Sequence, residues 1–224
     1  MSVLCGCGTG VPVRGQFYDA SVDDCRALTR RGPPRHVCAG RWWDRKAARR
    51  WPSVVRLEGM KRLILMRHAK TEGHNADGDR ARELLPRGRD DSATVGNELA
   101  GLGLQFAMVS TAMRTRQTFE ALGLAIPAEF LEVFYTDGPE TMLQRISETE
   151  ADVTGLLVVA HEPVIPRLAA QLGYASDRSE SDALLCSFPP ASFVEFTFDG
   201  EWADLEPDNL EHLSLQRVER PSKT

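Results

Sequence analysis

Short apolar runs alternate with amphipathic segments from residue 60 onward. The runs Leu63-Ile64-Leu65-Met66 and 155–160 (GLLVVA) are uniformly apolar, which is typical of central parallel strands buried on both faces. The first run is followed by Arg67 and His68, and the second is followed by His161. The same patterns predict further strands over 107–110 and 191–198, and helices over 91–102, 112–122, 139–148 and 163–172.

The weaker patterns lie between these elements and after them. Residues 130–135 favour a short strand or extended segment. In the strand 191–198, a period of two places Val194, Phe196 and Phe198 on one face, and we expect the other face to be half exposed. The tail 199–211 holds six acidic residues and is predicted to be an edge hairpin with a solvated surface.

Strands that alternate with helices indicate an α/β fold, with a mostly parallel central sheet covered by helices on both sides. The predicted architecture is therefore a three-layer αβα sandwich over residues 60–220. It is preceded by a poorly ordered extension, residues 1–59.

Charge divides the chain at the same point. Residues 1–60 carry eleven basic and five acidic residues, a balance of +6, whereas residues 61–224 carry 16 basic and 27 acidic residues, a balance of −11. The first 59 residues also hold three of the four Trp and four of the five Cys, yet they show no sustained period of 3.6 or 2. They do not have the pattern of a folded domain.

Three hypotheses fit this basic segment. It is a disordered extension, or an upstream start that is not used, with Met60 as the initiator. Alternatively, the cluster 41–51 (RWWDRKAARRW) is a basic, Trp-bearing arm that touches nucleic acid or an acidic partner. A metal knuckle is the third hypothesis, although its intervals match no common zinc pattern. Its ligands would be Cys5, Cys7, Cys25, His36 and Cys38.

Composition narrows the class of protein. No apolar run approaches the ~18–20 residues that span a bilayer, and the first ten residues lack the basic and apolar regions of a signal peptide. An odd number of cysteines, in no recognisable framework, indicates a reducing compartment. We therefore expect a cytoplasmic protein that does not cross a membrane.

Candidate chemistry follows the predicted strands. Arg67 and His68 end the first strand, Arg114 lies in the first turn of a helix after the second, and His161 ends another. Ligands of such sheets bind at the carboxyl ends of the strands. Guanidinium groups match phosphate oxygens, and a neutral imidazole can attack phosphorus. The pattern predicts a phosphate site.

The strings LILMRHAKT, STAMRTRQT and LLVVAHEP, in this order, resemble the histidine phosphatase superfamily, and more narrowly its bacterial SixA-like phosphohistidine phosphatases. The resemblance implies that His68 is the phosphohistidine nucleophile. It also implies that Arg67, Arg114 and His161 bind the transferred phosphoryl group without a metal or other cofactor. The stretch from Asp79-Arg80 to Gly88 resembles the same branch with about two extra residues.

Ester substrates need a proton donor for their leaving group. The resemblance implies Glu132, three residues before Tyr135, since the larger family has an acid in a similar context, and Glu140 and Glu162 are further candidates. This role requires that the pKa of Glu132 be raised by burial or by nearby carboxylates. Its other interpretation is a solvated side chain.

The leading hypothesis is a metal-independent phosphatase that acts on a phosphorylated protein histidine or a small phosphate ester. The alternative is a non-catalytic module that binds phosphate or a phosphoprotein in the same pocket. A function in nucleic-acid binding is disfavoured by the −11 balance of residues 61–224.

Overall fold

A six-stranded sheet organises the chain in the computed structural model, which describes residues 60–221. The hypotheses for residues 1–59 lie outside the described residues. The strands are β1 Met60–Arg67, β2 Phe106–Ser110, β3 Ala128–Leu131, β4 Gly155–Ala160, β5 Phe193–Asp199 and β6 Ser214–Glu219. Their spatial order is β3-β2-β4-β1-β5-β6. The first four are mutually parallel, and β5 and β6 pair antiparallel.

Six α-helices accompany the strands in the described part of the chain. They are α1 Pro86–Leu99, α2 Met113–Leu122, α3 Val133–Thr136, α4 Pro139–Ser147, α5 Val164–Gly173 and α6 Arg178–Cys186. Proline is the first residue of α1 and α4, where its missing N–H costs no helical hydrogen bond. Single 3₁₀ turns are formed by 79–81 and 202–204.

Two apolar cores lie on opposite faces of the sheet. Side chains alternate across a strand, so Leu63 and Leu65 of β1 join one core while Ile64 and Met66 join the other. The first core includes residues of α4, α5 and α6, and the second includes residues of α1 and α2. The mixed α/β fold with a mostly parallel sheet between helices is as predicted.

Three local predictions are wrong. Val133–Thr136 is a helical turn rather than part of an extended segment. The second face of β5 is buried, because Phe193 packs in the second core and Glu195 pairs with Arg62 at 3.0 Å.

The acidic tail is the third correction. It leads into an antiparallel edge pair, as expected, but it is not simply a solvated surface. Trp202 is buried, and its Nε1 donates to the carbonyl of Val153 at 2.7 Å. Leu205, Leu210 and Leu213 belong to the first core, as does Trp202. Apolar residues in and directly after the acidic tail therefore anchor it to the core.

Neither a membrane helix nor a metal cluster is found among residues 60–221. None of the helices described there is long and apolar enough to cross a bilayer. No three His, Cys, Asp or Glu residues there are grouped so that they could hold a metal ion.

Candidate active site

A polar pocket of about 660 Å³ opens at the carboxyl ends of β1 and β4. Its position follows from the parallel sheet, since neighbouring parallel strands end at the same edge. It is lined by Arg67, His68, Lys70, Thr71, Gly73, Asp79, Arg82, Leu85, Arg114, His161, Glu162 and Pro190.

His68 follows directly after β1 and is buried at the pocket. Its main-chain N–H donates to the carbonyl of Ala160 at 2.9 Å, which ties it to the end of β4. Its ring Nδ1 lies 2.9 Å from the carbonyl oxygen of Ala69. A carbonyl only accepts, so Nδ1 carries the proton, and Nε2 of the neutral ring keeps its lone pair. Burial is the largest cause that lowers the pKa of His68 to about 3, so the ring is neutral at pH 7.

His161 occupies the matching position after β4, and its ring centroid lies 5.3 Å from that of His68. Nδ1 accepts from Nε of Arg114 at 3.2 Å. Nε2 of the neutral ring therefore carries the proton and donates to Oγ of Ser110 at 2.7 Å. Burial, followed by the charge of Arg114, lowers the pKa of His161 to about 3. A phosphate oxygen only accepts, so one that binds the neutral His161 ring must replace Ser110 as the acceptor of the Nε2–H group.

Arg114 reaches the pocket from the first turn of α2 and is buried. Nη1 donates to the carbonyl of Asp79 at 2.7 Å, and Nη2 donates to Asp79 Oδ2 at 3.0 Å. With the bond to His161, these contacts use three of its five N–H groups. One N–H on each terminal nitrogen remains for an oxyanion.

Arg67 is the second guanidinium beside His68. Its Nη1 donates to the carbonyl of Phe188 at 2.7 Å and forms an ion pair with Oε2 of Glu162. Burial lowers the pKa of Arg67, and Glu162 opposes that shift. Its Nε is buried and has no hydrogen-bond partner in the part of the chain that the structure describes. Arg67 therefore retains unused donors.

Sequence reasoning did not assign roles to Asp79 and Arg82, which line the same pocket. Asp79 Oδ1 accepts from Arg82 at 2.9 Å, and Oδ2 accepts from Arg114 and from the hydroxyl of Tyr135 at 3.3 Å. The hydrogen bond from Arg82, with smaller contributions from Arg114, lowers the pKa of Asp79 to about 2. The Asp79-Arg80 stretch was the only signal for this cluster.

The loop after His68 is held by contacts with the start of α1 and with α2. The amide of Leu85 donates to the carbonyl of Lys70 at 3.0 Å, and the amide of Ala69 donates to Thr118 Oγ1 at 3.0 Å. Gly88 allows this approach, because a Cβ there would lie 2.2 Å from the Lys70 carbonyl oxygen. A glycine of the helix thus sets the position of the His68 loop.

Glu132 does not line the pocket, and its side chain is half exposed. Its Oε2 accepts from the Thr111 hydroxyl at 2.6 Å, and its Oε1 pairs with Arg80, whose guanidinium stacks 4.4 Å from the ring centroid of Tyr135. Thr111, and then Arg80, lower the pKa of Glu132. The raised pKa that the proton-donor role requires is not met, because the neighbours of Glu132 are a hydroxyl and a cation rather than apolar groups or carboxylates.

The structure thus brings together four of the five predicted site residues: Arg67, His68, Arg114 and His161. Glu132 lies outside the pocket lining and is linked to it through Arg80, which contacts Tyr135, which in turn donates to Asp79.

Comparisons with known proteins point to one family. The family model described as the histidine phosphatase superfamily (branch 1) matches residues 63–137, which include Arg67, His68 and Arg114. A solved structure from Nakamurella multipartitia, assigned as the phosphohistidine phosphatase SixA, is 30% identical to the chain. The match covers 74% of this chain and 98% of that one, with a TM-score of 0.66. The chain belongs to the histidine phosphatase superfamily.

Two further comparisons extend this result. An uncharacterised protein of Mycobacterium tuberculosis is 36% identical over 146 residues, 63% of this chain and 92% of its own length. A structure of the protein histidine phosphatase SixA with tungstate shares the fold at 22% identity and a TM-score of 0.57, over 70% of this chain and 95% of that one. As a histidine phosphatase, the protein is an enzyme that removes phosphoryl groups from phosphorylated substrates.

Proposed function

We propose that this histidine phosphatase hydrolyses phosphohistidine on a protein, and small phosphate monoesters, through a phosphohistidine intermediate on His68. One observation carries the proposal. The hydrogen bond from Nδ1 to the Ala69 carbonyl leaves Nε2 of a buried, neutral imidazole unprotonated beside two guanidinium groups. A nucleophile for phosphorus needs such a lone pair.

In the first step, the Nε2 lone pair of His68 forms a bond to phosphorus while the bond to the leaving group breaks. The electron pair of that bond goes to the leaving atom. The phosphoryl group passes through a loose transition state whose charge lies on three equatorial oxygens. We assign the unused N–H groups of Arg67 and Arg114 to bind those oxygens.

The pocket supplies positive charge from its own side chains. Four cationic residues line it, Arg67, Lys70, Arg82 and Arg114, against the carboxylates Asp79 and Glu162. Guanidinium groups remain charged at any working pH. This excess of positive charge can neutralise the phosphoryl oxygens, which is the task that Mg²⁺ performs in other phosphoryl-transfer enzymes, so the proposed mechanism is metal-independent.

In the second step, water attacks phosphorus while the bond to Nε2 breaks and its electron pair returns to that nitrogen. Inorganic phosphate leaves with the protons of the water, and His68 is again neutral with its proton on Nδ1. His161 and Ser110 form a hydrogen-bonded pair next to this position. We assign His161 to hold Arg114 in place through Nδ1 and, when the Nε2–H bond to Ser110 exchanges, to donate to a phosphoryl oxygen. Its low pKa keeps the ring neutral while the pocket is empty.

The leaving group gives the reason to favour phosphohistidine. Esters with poor leaving groups need a proton donor, and Glu132 is ionised and held by Thr111 and Arg80. A protonated phosphohistidine ring leaves as neutral imidazole without a further proton. Because Glu132 does not supply that proton, the pocket suits phosphoramidates better than alkyl esters.

The hypothesis of a non-catalytic binding module requires that a residue of the reaction be missing or misplaced. His68, Arg67, Arg114 and His161 all line one pocket. The phosphatase is therefore the better-supported function.

The test is to incubate the full chain with radiolabelled phosphoramidate, quench in alkali, and measure the label retained on protein. Phosphohistidine survives alkali and is lost in acid. We expect alkali-stable label on the wild type and on His74→Asn, an exposed histidine in a loop, and none on His68→Asn. Label of equal amount on His68→Asn would refute the assigned nucleophile. If the wild type retains no label and releases no phosphate, the result would favour the binding module.

A further inference from the structure

Transfer from phosphohistidine to His68 would take place between two imidazole rings. In each ring, the nitrogen that is not bonded to phosphorus carries a proton while the other nitrogen holds the phosphoryl group. That N–H needs an acceptor, since the ring is cationic in its phosphorylated, protonated form. On the enzyme, the acceptor is the carbonyl of Ala69, 2.9 Å from Nδ1 of His68.

The substrate ring needs an acceptor at the pocket as well. A carboxylate is the strongest such group for a cationic N–H, and two carboxylates line the pocket, Asp79 and Glu162. Both oxygens of Asp79 are already engaged, Oδ1 by Arg82, and Oδ2 by Arg114 and Tyr135. Asp79 is therefore poorly placed to accept a further bond.

Glu162 has a different environment. It directly follows His161, its side chain is 49% exposed, and its ion pair with Arg67 uses Oε2. Oε1 lies outside that ion pair. Because Arg67 also lies next to the nucleophile His68, the carboxylate of Glu162 is near the position that the phosphoryl group must occupy.

We propose that Glu162 accepts the ring N–H of the departing imidazole and thereby selects phosphohistidine over phosphate esters. This inference rests on the proposed function. In the step, Nε2 of His68 bonds to phosphorus, the P–N bond of the substrate breaks, and its electron pair stays on the leaving nitrogen. The proton remains on the other nitrogen of that ring, so the substrate leaves as neutral imidazole and Glu162 stays ionised.

The same carboxylate disfavours other substrates. The leaving oxygen of an ester becomes negative as its bond to phosphorus breaks, and a fixed carboxylate nearby raises the energy of that charge. Glu162 therefore acts in opposite directions on the two substrate classes, which a residue that only supports the fold would not do.

The experiment compares kcat/KM for a phosphohistidine peptide and for p-nitrophenyl phosphate in the wild type, Glu162→Gln and a control. Glutamine keeps the size of the side chain and removes its charge. Glu120→Gln is the control, since Glu120 is exposed on α2 and outside the pocket lining. A charge-assisted hydrogen bond of ordinary strength predicts that Glu162→Gln lowers the ratio of kcat/KM, peptide to ester, about ten- to a hundredfold. Glu120→Gln leaves the ratio unchanged.

Each outcome separates the inference from the function on which it rests. An equal loss of both activities in Glu162→Gln would show that Glu162 acts only by holding Arg67, and would overturn the inference alone. The inhibition constant of inorganic phosphate checks this, because a weakened Arg67 would raise it. A wild type that hydrolyses the ester but not the peptide would overturn the proposed substrate together with the inference, and one that hydrolyses neither would overturn the proposed function.

Discussion

Replacement of Gly88 by alanine tests how the position of α1 controls the nucleophile. The added Cβ would lie 2.2 Å from the carbonyl oxygen of Lys70. Carbon and oxygen need about 3.3 Å, so helix and loop must separate by roughly 1 Å. The displaced carbonyl belongs to the residue after Ala69, whose own carbonyl holds Nδ1 of His68.

The expected effect on stability is a balance of three contributions. Alanine gains about 1 kcal/mol of helix propensity over glycine. Overpacking costs about 1–3 kcal/mol, and the hydrogen bond from Leu85 to Lys70 is weakened, at about 0.5–1.5 kcal/mol. We expect Gly88→Ala to lower the free energy of unfolding by about 1–3 kcal/mol.

Activity should fall by more than stability explains. A misplacement of about 1 Å at a reacting group can cost up to about a hundredfold in rate. We therefore expect kcat/KM for p-nitrophenyl phosphate to fall about ten- to a hundredfold for Gly88→Ala, measured at a temperature where circular dichroism shows the variant folded.

Two other glycines provide matched controls. A Cβ at Gly96 would lie 1.9 Å from the carbonyl of Leu122, an equally severe clash outside the pocket lining, whereas Gly101 has nothing within 4 Å. Gly96→Ala should lose stability but keep its activity per folded molecule, and Gly101→Ala should keep both. The reasoning is refuted if Gly88→Ala retains wild-type kcat/KM, or if Gly96→Ala loses as much activity per folded molecule.

Three further predictions concern pH, charge and packing. Because His68 and His161 have pKa values lowered to about 3, the unfolded chain binds protons below pH 6.5 that the folded chain does not, so stability falls as pH falls. Urea titrations from pH 7 to pH 5 should show a loss of about 1–2 kcal/mol per histidine, absent for the replaced histidine in His68→Asn; a loss that His68→Asn leaves undiminished would contradict the assignment. Asp79→Asn removes the carboxylate that fixes Arg114, and kcat/KM should fall about three- to tenfold. Because the pKa of Asp79 is lowered to about 2, the pH profile of kcat/KM for the wild type should show no inflection from Asp79 above pH 4. Trp202→Ala should cost about 3–5 kcal/mol of unfolding free energy with kcat unchanged, and a loss under 1 kcal/mol would show that the tail is not anchored there.

The four residues at strand and helix ends were predictable because their placement follows from rules local to each element. An apolar run ends where the strand leaves the core, and parallel strands end at one edge. The strand boundaries alone were therefore enough to predict that Arg67, His68 and His161 lie close together. Arg114 needed one further fact, that the helix after β2 begins at the same edge.

The carboxylates could not be assigned in this way. Asp79 and Arg114 are 35 residues apart, and Arg80 and Glu132 are 52 apart. No periodicity records such pairings, because either side chain alone has the pattern of an exposed surface residue. The sequence therefore left two interpretations of Glu132 open, because the direction of its pKa shift depends on which groups the fold places beside it.

The sequence by itself determined the alternation of strands and helices, the three-layer arrangement and the edge of the sheet at which the chemistry lies, because burial imposes a period on each element. Only the tertiary structure decided which nitrogen of His68 is free, which carboxylate holds Arg114, that Glu162 pairs with Arg67, and that Trp202 anchors an acidic tail. These are pairwise contacts over long sequence separations, and their energies depend on distances that exist only once the sheet and helices have packed.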